Sequence, residues 1–212
     1  MEFENISNFT DVSDLMYIFV AILTIDVVVL FLARYNKTGG KYLNEWYDQF
    51  NILAVLVDVM VIFIGFIIAR YIYTNLFFDK FGWNPIFFML LLVIIQLVHD
   101  SLFYFGVLRN IPIRNNEMID VLKKYAEDLG GVIYGGDALI VIASAVVAMC
   151  YKKIPTTAFI SVGSIVLYTL PYILFTKNPY IALVEKEMKE AKAAKEAKKP
   201  AFEKIDAYNR LL

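Results

Sequence analysis

The stretch Ile86–Leu108 reads IFFMLLLVIIQLVHDSLFYFGVL, and its length and composition decide the fold class. A helix rises about 1.5 Å per residue, so about 20 mainly apolar residues cross a hydrocarbon core of about 30 Å. This run is long enough, and Gln96, His99, Asp100 and Ser101 are its main polar interruptions. Four other stretches have the same character: Leu15–Ala33, Ile52–Ile72, Val132–Tyr151 and Ala158–Phe175. The last is the shortest and contains Pro171, a residue tolerated near the end of a membrane helix.

Composition agrees with this reading. The chain has 212 residues, 59% hydrophobic and 19% charged, against about 25% charged in soluble domains. A disordered chain would need low hydrophobicity. One Cys (Cys150) excludes an intrachain disulfide and a Cys-based zinc site. One His excludes a His-rich metal centre, and a net charge of −1 argues against nucleic-acid binding. Nothing calls for a cofactor. The leader before the first span carries Glu2, Glu4, Asp11 and Asp14 and no Lys or Arg, the reverse of a cleaved signal peptide.

Lys and Arg set the topology, because cytoplasmic loops of membrane proteins are enriched in them. With the N-terminus outside and five spans, only Arg70, Lys80, Lys152 and Lys153 of the 20 Lys and Arg fall on the outer side. The sequence therefore predicts an all-α, polytopic membrane protein. Residues 1–14 form an acidic outer N-terminus, 15–176 a five-helix transmembrane bundle, and 177–212 a Lys/Glu/Ala-rich inner tail. A four-span version would break the charge alternation.

Two soluble segments also read as helices. Met118, Leu122, Tyr125 and Leu129 recur at helical spacing, with charged residues on the other faces. Asn115 or Asn116 can cap this helix, and Gly130-Gly131 ends it. Residues 116–129 thus predict an amphipathic helix, either at the inner membrane surface or packed on the bundle as a connector. In the tail, Asn178-Pro179 is a cap-and-first-residue pair. Lys186, Lys189, Lys192, Lys195 and Lys198 then recur every three residues among Ala and Glu. This segment can touch anionic lipid or stand solvated. Phe202, Ile205, Tyr208, Leu211 and Leu212 form a small apolar patch that can dock a partner.

The chemistry lies in acids within the spans, namely Asp26, Asp58, Asp100 and Asp137, with His99 and Gln96 beside Asp100. Ionisable groups in membrane helices are costly and usually turn inward. Asp26 and Asp100 lie about 12–13 Å from the predicted inner ends of their spans, and Asp58 and Asp137 about 8–9 Å, at about 1.5 Å per residue. All four fall in one leaflet, which predicts a shared polar site. Gln96, His99, Asp100 and Phe103 share one helix face. The spans hold no Lys, and Arg70 sits at an outer end where it can snorkel. The acids then need protonation, a bound cation or hydrogen bonds. Oxygen ligands suit a hard ion such as Na⁺, Ca²⁺ or Mg²⁺.

Three functions follow: a structural or scaffolding membrane protein whose acids are interhelical glue, a proton- or cation-handling channel or transporter, and a membrane hydrolase. Tyr134-Gly135-Gly136-Asp137 resembles the Gly-x-Gly-Asp segment of intramembrane aspartyl proteases, with Asp58 as the second acid. The first glycine is replaced by Tyr134, however, and Val57 precedes Asp58 where those enzymes have tyrosine. Small residues at Gly65/Ala69 and Ser144/Ala148 let helices approach closely. Ser161, Ser164, Tyr168 and Tyr172 form a stripe that predicts an interhelical seam or a polar path.

From Gln96 to about Asp137 the sequence reads QLVHDSLFYFGVLRNIPIRNNEMIDVLKKYAEDLGGVIYGGD. His99-Asp100 before Phe103-Tyr104, Pro112, the Asn116–Tyr125 helix and Asp137-Ala138-Leu139 resemble uncharacterised multi-span membrane proteins of large DNA viruses of algae and protists. Leu170-Pro171-Tyr172 is similar too. The resemblance carries no activity. It implies a viral membrane protein, in an internal virion membrane, whose tail meets capsid or core proteins.

The charge pattern makes one prediction directly. Single cysteines placed near the N-terminus and in the tail, in a Cys150→Ser background, are labelled from opposite sides of sealed vesicles. Labelling from one side means an even number of spans.

Overall fold

The computed structural model describes residues 3–181 and, beyond them, 186, 189 and 190. The chain divides into two units, 1–176 and 177–212. Among the described residues the first unit is built of helices without strands: α1 (Asp14–Asn36), α2 (Gly40–Phe50), α3 (Ile52–Ile72), α4 (Phe78–Phe81), α5 (Pro85–Phe103), α6 (Glu117–Leu129), α7 (Val132–Lys153) and α8 (Thr156–Leu174). One π-helical turn, Tyr73–Phe77, joins α3 to α4, and another, Tyr104–Leu108, extends α5.

Five helices are long and apolar enough to cross a membrane. The all-α, five-span architecture read from the sequence is therefore present. Large apolar side chains such as Leu56, Ile64, Leu90, Ile94, Ile160 and Leu167 face outward, away from the core. Apolar surface on that scale requires an apolar surrounding, which makes this an integral membrane protein. The second span is longer than expected. It runs 30 residues from Ile52 to Phe81, about 45 Å of helix at about 1.5 Å per residue. That exceeds a bilayer core of about 30 Å, so the helix tilts or overhangs.

α1 is the central helix and packs against α3, α7 and α8, while α5 packs against α3 and α7. Close approach comes from small buried residues. Ser144, Ala145 and Ala148 of α7 and Ala21 of α1 are fully buried. Gly65 faces Ile95 and Gln96 of α5 at ordinary contact distance.

The N-terminal segment closes one end of the bundle. Thr74 Oγ1 donates to the Ser7 carbonyl (2.8 Å) and accepts from Phe9 N (2.9 Å). Trp83 Nε1 donates to the Phe3 carbonyl at 2.9 Å, and Lys152 Nζ to the Asn5 carbonyl at 2.7 Å. Arg70 differs from the snorkelling arginine expected. Its side chain is 1% exposed, 3.6 Å from Asp14, and donates to the carbonyls of Asn8 and Asp11. Asp14, 0% exposed, takes Lys152 at 2.6 Å on its other oxygen. Two of the four basic residues assigned to the outer side are thus satisfied by the acidic leader, which folds over them. Asp11 accepts from both the hydroxyl and the N–H of Ser13, and the hydroxyl bond holds its carboxyl below the usual carboxylate range.

α2 and α6 cover the other end. Between the first two spans the structure adds a helix not expected from the sequence: Leu43, Trp46, Tyr47 and Phe50 have helical spacing, and α2 buries Asn44, Trp46 and Tyr47. Gly39 starts it at φ +75, where a Cβ would meet the Leu43 side chain at 2.3 Å. Arg34 ties this end together. It donates to Asn44 (2.9 Å), Asp48 (2.7 Å) and the Leu174 carbonyl (3.1 Å). α6 is capped by Asn116, whose side chain accepts from Ile119 N at 3.1 Å. It packs on α2, with Lys124 3.0 Å from Glu45, so it is a cover for the bundle more than a lipid-facing helix. Ile119 and Val121 are its buried residues, beside the expected stripe.

The stripe on α8 does not form a seam within the bundle. Tyr168 and Tyr172 are 67% and 65% exposed, and Ser161 and Ser164 donate to carbonyls one turn earlier on their own helix. In the second unit, Asn178 Oδ1 accepts from Tyr180 N at 2.8 Å, and Lys186 lies 3.9 Å from Glu190. Lys192, Lys195, Lys198 and the apolar patch from Phe202 lie outside the described residues.

The buried ion cluster gives a stability prediction. Asp14→Ala leaves Arg70 buried without its carboxylate and destabilises the protein by about 3–5 kcal/mol. Asp11→Ala, at a half-exposed position, costs about 1 kcal/mol or less. Melting temperatures in detergent separate the two; equal shifts would mean that Asp14 carries no special weight.

Candidate functional site

At the end covered by α2 and α6 lies a partly open cavity of about 560 Å³. Each predicted site residue lines it: Asp26 from α1, Asp58 from α3, Gln96, His99 and Asp100 from α5, and Asp137 from α7. Every one of these helices is long and apolar enough to cross a membrane, and each brings its acid to the same cavity. The convergence follows from helix direction. α1 and α5 reach this end with their C-terminal halves, and α3 and α7 leave it with their N-terminal halves.

α2 and α6 supply the aromatic part of the wall. Trp46 and Tyr47 come from α2, Tyr125 from α6, and Phe103, Tyr104 and Tyr134 from the ends of α5 and α7. Trp46 and Tyr47 were missed in the sequence because 34–51 was not read as a helix. Tyr125 was placed on the α6 stripe but not at a site.

The carboxyls have different local partners. Tyr47 Oη donates weakly to Asp26 Oδ1 at 3.5 Å, and Asp26 Oδ2 has no partner although the residue is only 5% exposed. Trp46 Nε1 donates to Asp58 at 3.0 Å. Gln96 Nε2 donates to Asp100 Oδ1 at 2.8 Å, and His99 Nδ1 lies 3.1 Å from the same oxygen. The His99 ring is parallel to Phe103, with centroids 6.1 Å apart. The other oxygen of Asp100 is buried and unpartnered. Among the described residues no Lys or Arg lines the cavity.

This arrangement limits the chemistry. Among the described residues no three His, Cys, Asp or Glu side chains are grouped to hold a metal ion. The acids are spread round a space, in contrast to the oxygen cage that a hard cation requires. Asp58 and Asp137 line the same cavity, but no hydrogen bond joins them among the described residues, as a proton-sharing hydrolase dyad would need.

The tyrosines feel the same environment. Burial, then the charges of Asp137 and Asp58, pushes the Tyr125 phenol up to about 12. Burial and the neighbouring Asp26 raise Tyr47 as well. Both phenols stay neutral at physiological pH and serve the acids as uncharged neighbours.

No family model, curated protein or solved structure matches this chain. The class is set by the fold alone: an all-helical, multi-pass membrane protein with an acid-lined cavity between its spans.

The raised phenols give a pH prediction. A phenol with pKa about 10 unfolded and about 12 folded keeps its proton longer in the native state. The unfolded chain then binds fewer protons, so stability falls as pH rises from about 10 through 12. Tyr125→Phe flattens the fall in melting temperature over this range. An unchanged slope would show that Tyr125 does not titrate in its buried setting.

Proposed function

We propose that this is a proton- or cation-handling membrane protein, in which Asp26, Asp58, Asp100 and Asp137 take up positive charge in a common cavity. One observation carries the reading: four acids from four different spans line a single space in whose wall, among the described residues, there is no Lys or Arg. Acids that served only as glue would close on one another or on neighbouring helices. Here Asp26 and Asp100 each keep a buried oxygen without a partner. Positive charge entering the cavity offsets the cost of carboxylates in an apolar bundle. His99, exposed and 3.1 Å from Asp100, is placed to hand protons to that carboxyl.

The charge alternation of the loops supports an outer N-terminus and an inner C-terminus, which puts the cavity in the inner leaflet. A scaffolding role rests on different bonds. Tyr47 to Asp26 and Trp46 to Asp58 fasten α2 beneath α1 and α3. With the resemblance of residues 96–139, this second reading places the protein in a viral membrane with its tail toward capsid or core proteins.

Reconstitution into liposomes with a pH- or ion-sensitive dye distinguishes the readings. Flux down a proton, Na⁺ or K⁺ gradient is expected, and Asp100→Asn reduces it about tenfold or more, in line with loss of a positioned proton carrier. No flux under any gradient, with Asp→Asn variants that change only the melting temperature, would leave the scaffold.

A further inference from the structure

The wall of the cavity is more specific than a row of acids. A cavity of about 560 Å³ lies within the roughly 300–1,000 Å³ typical of small-molecule sites. It is far larger than a dehydrated inorganic ion needs. Most of its lining is carbon, from Leu43, Val61, Ile62 and Ile140 as well as the aromatic rings. Bare metal ions require several oxygens in one shell, and no such group occurs among the described residues.

We infer that the cavity takes a small organic ammonium ion. Its charged head sits among the carboxyls of Asp26, Asp58, Asp100 and Asp137. Its carbon body lies against Trp46, Tyr47 and Tyr125. The inference rests on the proposed reading of the cavity as a cation site and narrows it to a class of ligand.

Three features point the same way. Aromatic faces attract ammonium ions through the negative face of the ring, by about 0.5–2 kcal/mol each depending on desolvation. Asp26 is only 5% exposed, lines the cavity, and has one carboxyl oxygen without a hydrogen-bond partner. An ammonium N–H supplies the missing donor. Among the described residues no Lys or Arg lines the wall to compete for the carboxyls. A carboxylate or phosphate ligand would face four acids and, among the described residues, no Lys or Arg, so charge disfavours it.

Calorimetric titration of the purified protein in detergent at pH 7 tests this, with benzylammonium as the probe and benzyl alcohol as its uncharged counterpart. Benzylammonium binds saturably, benzyl alcohol at least about tenfold more weakly, and Asp26→Asn weakens the amine at least about tenfold, as loss of a charge-assisted hydrogen bond implies. Asp137→Asn, at a half-buried position, gives the same direction of change and covers the case in which Asp26→Asn fails to fold. Equal binding of benzyl alcohol would show an apolar pocket only and overturn the inference. Proton, Na⁺ or K⁺ flux in liposomes without amine binding would overturn it as well, but would leave the cation-handling reading standing. Neither binding nor flux would remove both.

Discussion

A carboxyl group inside an apolar helix bundle must have its charge or its hydrogen-bonding capacity answered, and that constraint organises this molecule. Each of the first four spans carries such an acid. The fold does not bury them separately. It brings them round one cavity, and α2 and α6 cover that space with Trp46, Tyr47 and Tyr125. Neutral phenols and an indole N–H are suitable neighbours, because they donate without cancelling the negative character of the site.

The two ends of the bundle handle charge in opposite ways. At one end acids meet cations directly: Asp14 lies between Arg70 and Lys152, and the backbone of Asn8 and Asp11 takes the remaining Arg70 donors. At the other end Arg34 is engaged by Asn44, Asp48 and the Leu174 carbonyl, away from the cavity acids. The cations within the bundle are thus committed elsewhere. Among the described residues the cavity wall has no Lys or Arg, so one end is a clamp of paired charges and the other an acid-lined space.

Much of this was legible in the sequence. Span number and the α6 helix follow from apolar run length and 3.6-residue spacing. The distance from each acid to the flanking Lys and Arg gave its height along its own helix. It could not give rotation about the axis, so whether the acids faced one another needed the packing of α1 against α3 and α7. α2 was missed because its mean composition is polar, although its Leu43, Trp46, Tyr47 and Phe50 spacing was present. Arg70 was misread because a single span does not reveal that an N-terminal segment will fold over its end. The α8 stripe was misread for the converse reason: hydroxyls that bond to their own helix need no partner helix, so Ser161 and Ser164 can face outward.

The clamp at the Asp14 end has a consequence for how the chain is built into a bilayer. Asn8 and Arg70 are 62 residues apart, whereas Asn5 and Lys152 are 147 apart. During synthesis the leader therefore meets its arginine when the second span arrives, but waits for the fourth before the lysine locks it. The early helical pair is held by a half-made latch, and the arrival of α7 completes it.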